Sequence, residues 1–271
     1  MGFRRTEASP LSRIMIQVEG VEVTYPTGTR ALASTTLGFE RGRFTVLLGA
    51  SGAGKSTLLR TLNGLVKPTA GRVIVEGIGV LGGSRATRMH RRRTGMVFQQ
   101  HQLIGRATVL SNVLTGRLSY HSGLRTLFPL PMAEKRLALD AIERAGLIES
   151  ALRRADQLSG GQQQRVGIAR ALVQQPTLLL ADEPIASLDP ATADRILGLL
   201  YTICKTDGIT AIVSLHQLEF AQRYAEHIIG LARGCVAFEG PPARLGPAEI
   251  KRIYGVVPAP EAATRKTGTY S

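Results

Sequence analysis

Acidic side chains are scarce in this chain: 20 Asp and Glu stand against 34 Lys and Arg, a formal net charge of +14 over 271 residues. Three uses remain open for such an excess: anionic lipid head groups, nucleic acid, or no partner beyond solvent. The densest basic cluster is Arg85, Arg88, His90, Arg91, Arg92 and Arg93, and Arg4, Arg5 and Arg13 add a basic arm. Aromatics are few, and none of the seven Phe and six Tyr interleaves with that cluster. The stacking platforms of single-strand nucleic-acid binders are therefore missing, and no nucleic-acid partner is expected. A solvated helix face in an arginine-rich chain is the simplest account. Only two cysteines occur, Cys204 and Cys235, without metal or redox spacing, which excludes a disulfide framework and predicts two reduced, inert thiols in a cytosolic protein. No apolar run approaches the ~20 residues needed to span a bilayer. Phe3-Arg4-Arg5 resembles a twin-arginine signal, but no hydrophobic segment follows before Arg13, so that reading is rejected.

What is present suits one large α/β domain, since 44% of the residues are apolar. Strands are predicted at Ile14–Val18, Val21–Tyr25, Phe44–Leu48, Arg72–Glu76 and Gly95–Phe98. Residues 99–175 read as an inserted helical subdomain, with a helical apolar stripe at Leu137, Ala138, Ala141, Ile142 and Ala145. From about residue 176 strands and helices alternate again, ending in a hairpin across Ala232-Arg233-Gly234. Residues 1–13 and 258–271 read as loose tails around a domain at 14–257, and no solenoid-period repeat occurs.

Three motifs carry the chemistry. Gly49-Ala50-Ser51-Gly52-Ala53-Gly54-Lys55-Ser56-Thr57 follows an apolar strand and opens a helix, the context of a phosphate-binding loop. Its glycines let backbone N–H groups curl around an anion. Lys55 would reach the β- and γ-phosphates of a nucleotide and Ser56 would sit on Mg²⁺. The second motif, Leu158-Ser159-Gly160-Gly161-Gln162, has the form of a capping box before a helix. Taken alone it is either an ordinary cap or a second phosphate-contacting surface. The third is the apolar run Leu178–Ala181 ending in Asp182-Glu183. Two carboxylates thus stand at the carboxyl end of a buried parallel strand, where ligands bind in open α/β sheets. Asp182 suits a Mg²⁺-side carboxylate, and Glu183 suits the orientation or deprotonation of an attacking water.

In this order the three motifs resemble the nucleotide-binding subunits of ATP-binding-cassette (ABC) transporters. The resemblance implies a P-loop NTPase core of α/β class, with a mixed sheet, an antiparallel β subdomain and an inserted α-helical subdomain. It also places Tyr25 on the adenine, Gln99 between the γ-phosphate, Mg²⁺ and the helical subdomain, Asp189 in a loop that communicates across a dimer, and His216 on the γ-phosphate. Glu183, His216 and Gln99 are then the catalytic set. Ser56, Gln99 and Asp182 form the metal side. In such proteins two copies pair head to tail, so Ser159, Gly160, Gly161 and Gln162 would act on the ATP held by the partner copy.

Further stretches are similar to the ATPases of phosphonate importers, notably Arg154-Ala-Asp before the second motif and Val213-Ser-Leu-His-Gln217. The likeness covers roughly residues 14–257, while His101-Gln102 and Leu218-Glu219 depart from it. It implies membrane permease subunits, an external substrate-binding protein reached through them, and a place on the cytoplasmic face of the inner membrane. The alternatives are an importer for another solute, or a soluble ABC-type ATPase acting on nucleic acid or ribosomes. Relatives of that second kind carry two cassettes or a coiled-coil insertion, which this sequence does not show.

Overall fold

The computed structural model describes residues 14–99, 102–121 and 130–255. The tails expected at 1–13 and 258–271, and the departure at His101, lie outside the described residues.

Five strands are nearly continuous apolar runs buried on both faces, the composition of a parallel sheet covered from both sides. They are β3 (Phe44–Leu48), β6 (Thr94–Val97), β7 (Leu178–Asp182), β8 (Thr210–Leu215) and β9 (His227–Ala232). With β10 (Cys235–Gly240) they form a six-stranded sheet in the order β10-β9-β3-β8-β7-β6, parallel except for the antiparallel β9–β10 pair. The β9–β10 turn has positive φ at both Arg233 (50°) and Gly234 (78°), as a two-residue type I′ hairpin requires.

A second, wholly antiparallel sheet has the order β2-β1-β4-β5, from β1 (Ile14–Thr24), β2 (Arg30–Glu40), β4 (Ala70–Val75) and β5 (Gly79–Val80). Here the structure differs from the sequence reading. The two strands expected at 14–25 are one strand, because Gly20 (φ 54°) takes up a register shift between Val18 and Val21 without ending the pairing. The whole of β2 was missed. Its Ser, Thr and Gly positions hide an alternation in which Leu32, Leu37 and Phe39 point inward.

The helices are α1 (Lys55–Leu62), α2 (Ser84–Arg92), α3 (Val109–Leu114), α4 (Met132–Arg144), α5 (Gly160–Leu172), α6 (Pro190–Asp207), α7 (Leu218–Tyr224) and α8 (Pro247–Tyr254). Helices α3, α4 and α5 lie in sequence between β6 and β7. Alternate residues of each central strand feed two cores. Val46, Leu179, Ala211 and Val213 pack with α4, α5 and α6, and the predicted stripe is buried there at Ala138, Ala141, Ile142 and Ala145. Leu47, Leu178, Leu180 and Ile212 pack with α1 and the antiparallel sheet. The phosphate-loop helix is thus clamped between two sheets.

The basic cluster is not wholly solvated. His90 is buried: its Nε2–H donates to Leu62 O at 2.8 Å, and burial lowers its pKa. Cys204 is buried, which pushes its thiol pKa up to about 12, whereas Cys235 is exposed.

In the inserted helices Arg117 clasps Glu134 with two hydrogen bonds, of 2.6 and 3.3 Å, and His121 Nε2 lies 3.1 Å from the same carboxylate. The Arg117 hydrogen bond holds the Glu134 carboxyl below its ordinary 4.5, against the opposing effect of burial. A depressed carboxylate contributes stability above its unfolded pKa and loses it as pH falls through the folded value. Glu134→Gln should therefore destabilise the protein at pH 7 by about 1–3 kcal/mol, since Arg117 loses its anion. Urea unfolding across a pH series should show that gap closing once the pH drops below about 4.5. A gap constant down to pH 3 would rule out the charge origin.

Candidate active site

The phosphate loop runs from the end of β3 into α1. Gly52 (φ 78°) and Gly54 (φ 103°) take conformations that side chains avoid, and a Cβ on Gly54 would sit 2.7 Å from Ala31 O. Gly54 caps α1 without any side-chain acceptor, so the first N–H groups of that helix are left to an anion. The loop is held from behind: Gly234 N donates to Ala53 O at 3.0 Å and Ala33 N to Gly234 O at 2.8 Å. The β9–β10 turn thereby ties the loop to the antiparallel sheet.

Lys55 is only 3% exposed. Its ammonium donates to Gly49 O (2.8 Å) and Ala50 O (3.0 Å) and lies 3.3 Å from Glu183 Oε1. Buried charge of this kind persists only when neutralised, and Glu183 supplies the anion. At the next position, Ser56 Oγ donates to Asp182 Oδ1 at 2.8 Å. The same Asp182 oxygen accepts from Ser214 Oγ at 3.0 Å, and Ser214 Oγ itself accepts from Glu183 N at 2.8 Å.

That last bond matters because Glu183 has φ 45°, a left-handed backbone that costs a non-glycine residue about 1–3 kcal/mol. Ser214 therefore holds a strained turn that swings the Glu183 carboxylate over Lys55. On the other side, His216 Nδ1 lies 3.8 Å from Glu183 Oε2.

The predicted residues fall into two groups. Ser51, Gly52, Ala53, Gly54, Lys55, Ser56, Thr57, Gln99 and Glu183 line one cavity of about 360 Å³, together with Thr29, Arg30 and Ala31. Gly49 and Ala50 supply carbonyls to Lys55, and Asp182 and His216 adjoin through the contacts above. Tyr25 packs at the edge, its hydroxyl 3.1 Å from Thr57 Oγ1.

Ser159, Gly160, Gly161, Gln162 and Asp189 do not line that cavity; they form a separate ridge, exposed at Ser159, Gly160 and Asp189 and half-buried at Gly161 and Gln162. Ser159 Oγ accepts from Gln162 N at 3.3 Å and Gln162 Oε1 accepts from Ser159 N at 3.0 Å, the reciprocal box expected at the start of α5. Asp189 caps α6, accepting from Thr192 N at 3.0 Å, and the hydrogen bonds from Thr192 hold its carboxyl below the usual range. A Cβ on Gly161 would stand 2.7 Å from Thr192 Cγ2, so this glycine lets the starts of α5 and α6 come together.

The Ser56–Asp182 pair, with only oxygen donors, suits a hard cation such as Mg²⁺. Among the described residues no three Asp, Glu, His or Cys side chains converge as a metal cage.

Sequence reasoning missed Ser214, Arg60 and Tyr254. Ser214 was legible as a hydroxyl near the carboxyl end of the apolar run Ala211–Leu215, and the structure buries it fully. Arg60 Nη2 comes within 4.0 Å of Asp182 from one turn further along α1, and Tyr254 Oη donates to His216 O at 2.8 Å. No local signal announces either contact.

A profile of the family described as ABC transporter matches residues 32–186. The phosphite import ATP-binding protein PxtA of Stutzerimonas stutzeri is 59% identical over 90% of this chain and 89% of that protein. A phosphonates import ATP-binding protein, PhnC 3 of Nostoc sp., is 57% identical over 89% and 92% respectively. Among solved structures, the bacterial ABC transporter cassette MJ0796, solved as a dimer, superposes with TM-score 0.74 at 37% identity. That match covers 84% of this chain and 99% of that one. A post-hydrolysis structure of the same cassette, bound to ADP and Pi, matches at 36% identity and TM-score 0.74.

Proposed function

The chain belongs to the ABC transporter family, and from that we propose that its ATP hydrolysis drives uptake of a phosphonate or a related phosphorus oxyanion across the cytoplasmic membrane. The observation that carries the chemistry is the linked set Lys55, Ser56, Asp182, Glu183 and Ser214 around one cavity. ATP lies along the phosphate loop, its adenine against Tyr25 and its β- and γ-phosphates against the first-turn N–H groups of α1 and Lys55. Ser56, Asp182 and Gln99 would hold Mg²⁺, which would supply charge neutralisation for the phosphates. Glu183 orients the attacking water and takes its proton, with His216 beside it to steady the γ-phosphate.

The exposed Ser159–Gln162 ridge has no role in the cavity of its own chain. It fits a second copy docked head to tail, whose ATP it closes over, and Asp189 lies at the same seam. The residue ranges read as a domain at 14–257 with a helical insertion at 99–175 serve this arrangement, the insertion carrying Ser159 away from the phosphate loop. The dimer works on permease subunits at the cytoplasmic membrane face, with an external binding protein delivering the solute to them. Among the described residues no helix is long and apolar enough to cross a membrane.

The names of the relatives leave two oxyanions in play, phosphonate and phosphite. Reconstitution with the permease should show ATP turnover rising severalfold with a phosphonate-loaded or phosphite-loaded binding protein, above a phosphate-loaded one or none. Equal turnover in all four conditions would remove the substrate assignment and leave the ATPase.

A further inference from the structure

The charge of this chain is not spread through it. Between Arg41 and Ala133 stand fourteen Lys and Arg but one acid, Glu76, so that about a third of the sequence carries +13 of the net +14. General arginine richness does not produce such asymmetry; it marks a directed surface.

The structure concentrates it further. At and beside the antiparallel sheet three cations are paired: Arg41 with Glu76, Arg43 with Glu40 and Arg72 with Glu19. On α2 and the residue after it, no carboxylate pairs with any of the five arginines among the described residues. Arg91 donates to Asn63 O and Gly64 O, and Arg92 lies over the Tyr120 ring, 4.6 Å from its centroid. Arg85, Arg88 and Arg93 remain exposed. The helix itself is anchored, because buried His90 bonds to the last turn of α1 and Thr94 Oγ1 donates back to His90 O at 2.9 Å.

Three exposed apolar side chains belong to the same stretch: Met89 on the helix, one turn from Arg85 and Arg93, Val80 on β5 four residues before it, and Leu65, whose neighbour Gly64 lies against Thr87 of α2. Arg91 also edges a groove of about 300 Å³ with Phe98, Gln102 and Arg170, between the sheet and the inserted helices and close to Gln99.

We propose that the face formed by α2 with Leu65 and Val80 lies against the anionic head groups of the cytoplasmic membrane leaflet. This rests on the importer reading, which holds the chain against the cytoplasmic membrane face. Arginines interleaved with exposed apolar side chains are what an interfacial lipid contact uses, electrostatic attraction plus shallow apolar burial. An acidic permease loop would answer the arginines and leave Leu65, Val80 and Met89 unexplained. Nucleic acid would need free aromatic faces, and the Tyr120 ring is already covered by Arg92 and Arg117.

The test uses the full chain without permease. It should sediment with phosphatidylcholine vesicles that contain phosphatidylglycerol, not with phosphatidylcholine alone, and added salt should release it. The triple variant Arg85→Gln, Arg88→Gln, Arg93→Gln should lower that partitioning by about a hundred-fold, with soluble ATP hydrolysis and thermal midpoint unchanged. Equal binding to both vesicle types, an unaltered partition for the triple variant, or stronger retention on an RNA oligomer would each overturn the lipid assignment. Because hydrolysis is read separately, such a failure would not touch the transport reading.

Discussion

Glu183→Gln should lower ATP turnover by about 10²–10⁴-fold while nucleotide still binds, and should turn the chain into a stable dimer whenever ATP is present. The carboxylate stands at the end of β7 on a left-handed residue that Ser214 holds in place, within 3.3 Å of Lys55 and 3.8 Å of His216. An amide of the same shape keeps that backbone and still reaches a water, but it cannot accept the proton the attack releases. Binding energy that normally ends in hydrolysis then stays in the closed pair. Light scattering after gel filtration reads the dimer and phosphate release reads turnover. A Glu183→Gln chain that stays monomeric at high concentration with ATP, also in complex with the permease, would refute the sandwich. Turnover within a few-fold of wild type would remove Glu183 as the base.

The second large effect needs two variants at once. Lys55→Ala removes the buried cation proposed to meet the phosphates. Ser159→Arg places a long charged side chain on the exposed ridge at the start of α5. Each alone should reduce ATP turnover by at least about a hundred-fold, because in a symmetric pair either change spoils both sites. Mixed in equal amounts, however, half of the dimers contain one chain of each kind. In those dimers both lesions fall on one nucleotide, and the other site joins the intact phosphate loop of one chain to the intact Ser159 of its partner. Turnover should return to about a quarter of wild type if the two sites work independently. Were each chain to use its own Ser159, the mixture would stay as inactive as its components. Recovery on mixing therefore separates a composite site from a complete one, and no single substitution does that.

Much of the site was legible before any coordinates. The phosphate loop, the box at Ser159 and the acidic strand end are local devices: glycines where the backbone must turn left-handed, a hydroxyl and an amide three residues apart, carboxylates after a run of buried apolar residues. Local chemistry of that kind survives in the linear pattern. The expectations that shifted had non-local causes. Strand β2 holds because Leu32, Leu37 and Phe39 find a core built by α1 and β3, and its own residues signal it weakly. The divided strand at 14–24 is whole because Gly20 absorbs a bulge whose partners lie on β2. His90, read within a solvated basic face, is buried because α2 folds onto the end of α1.

The sequence by itself determined that this is a nucleotide-hydrolysing α/β protein with two glycine motifs, since spacing, glycine and charge along the chain suffice for that. The tertiary structure decided which of those motifs share a cavity. Chain reversal across the sheet brought Ser214 and Glu183 to Ser56 and Lys55, over separations of more than a hundred residues. It left Ser159 outside on its own ridge, facing whatever docks there. Spacing cannot report such proximity, because the contacts depend on strand order β3-β8-β7 and on which face each helix covers. The arginine cluster at 85–93 was visible in the sequence, but only the structure showed that no carboxylate among the described residues pairs with it.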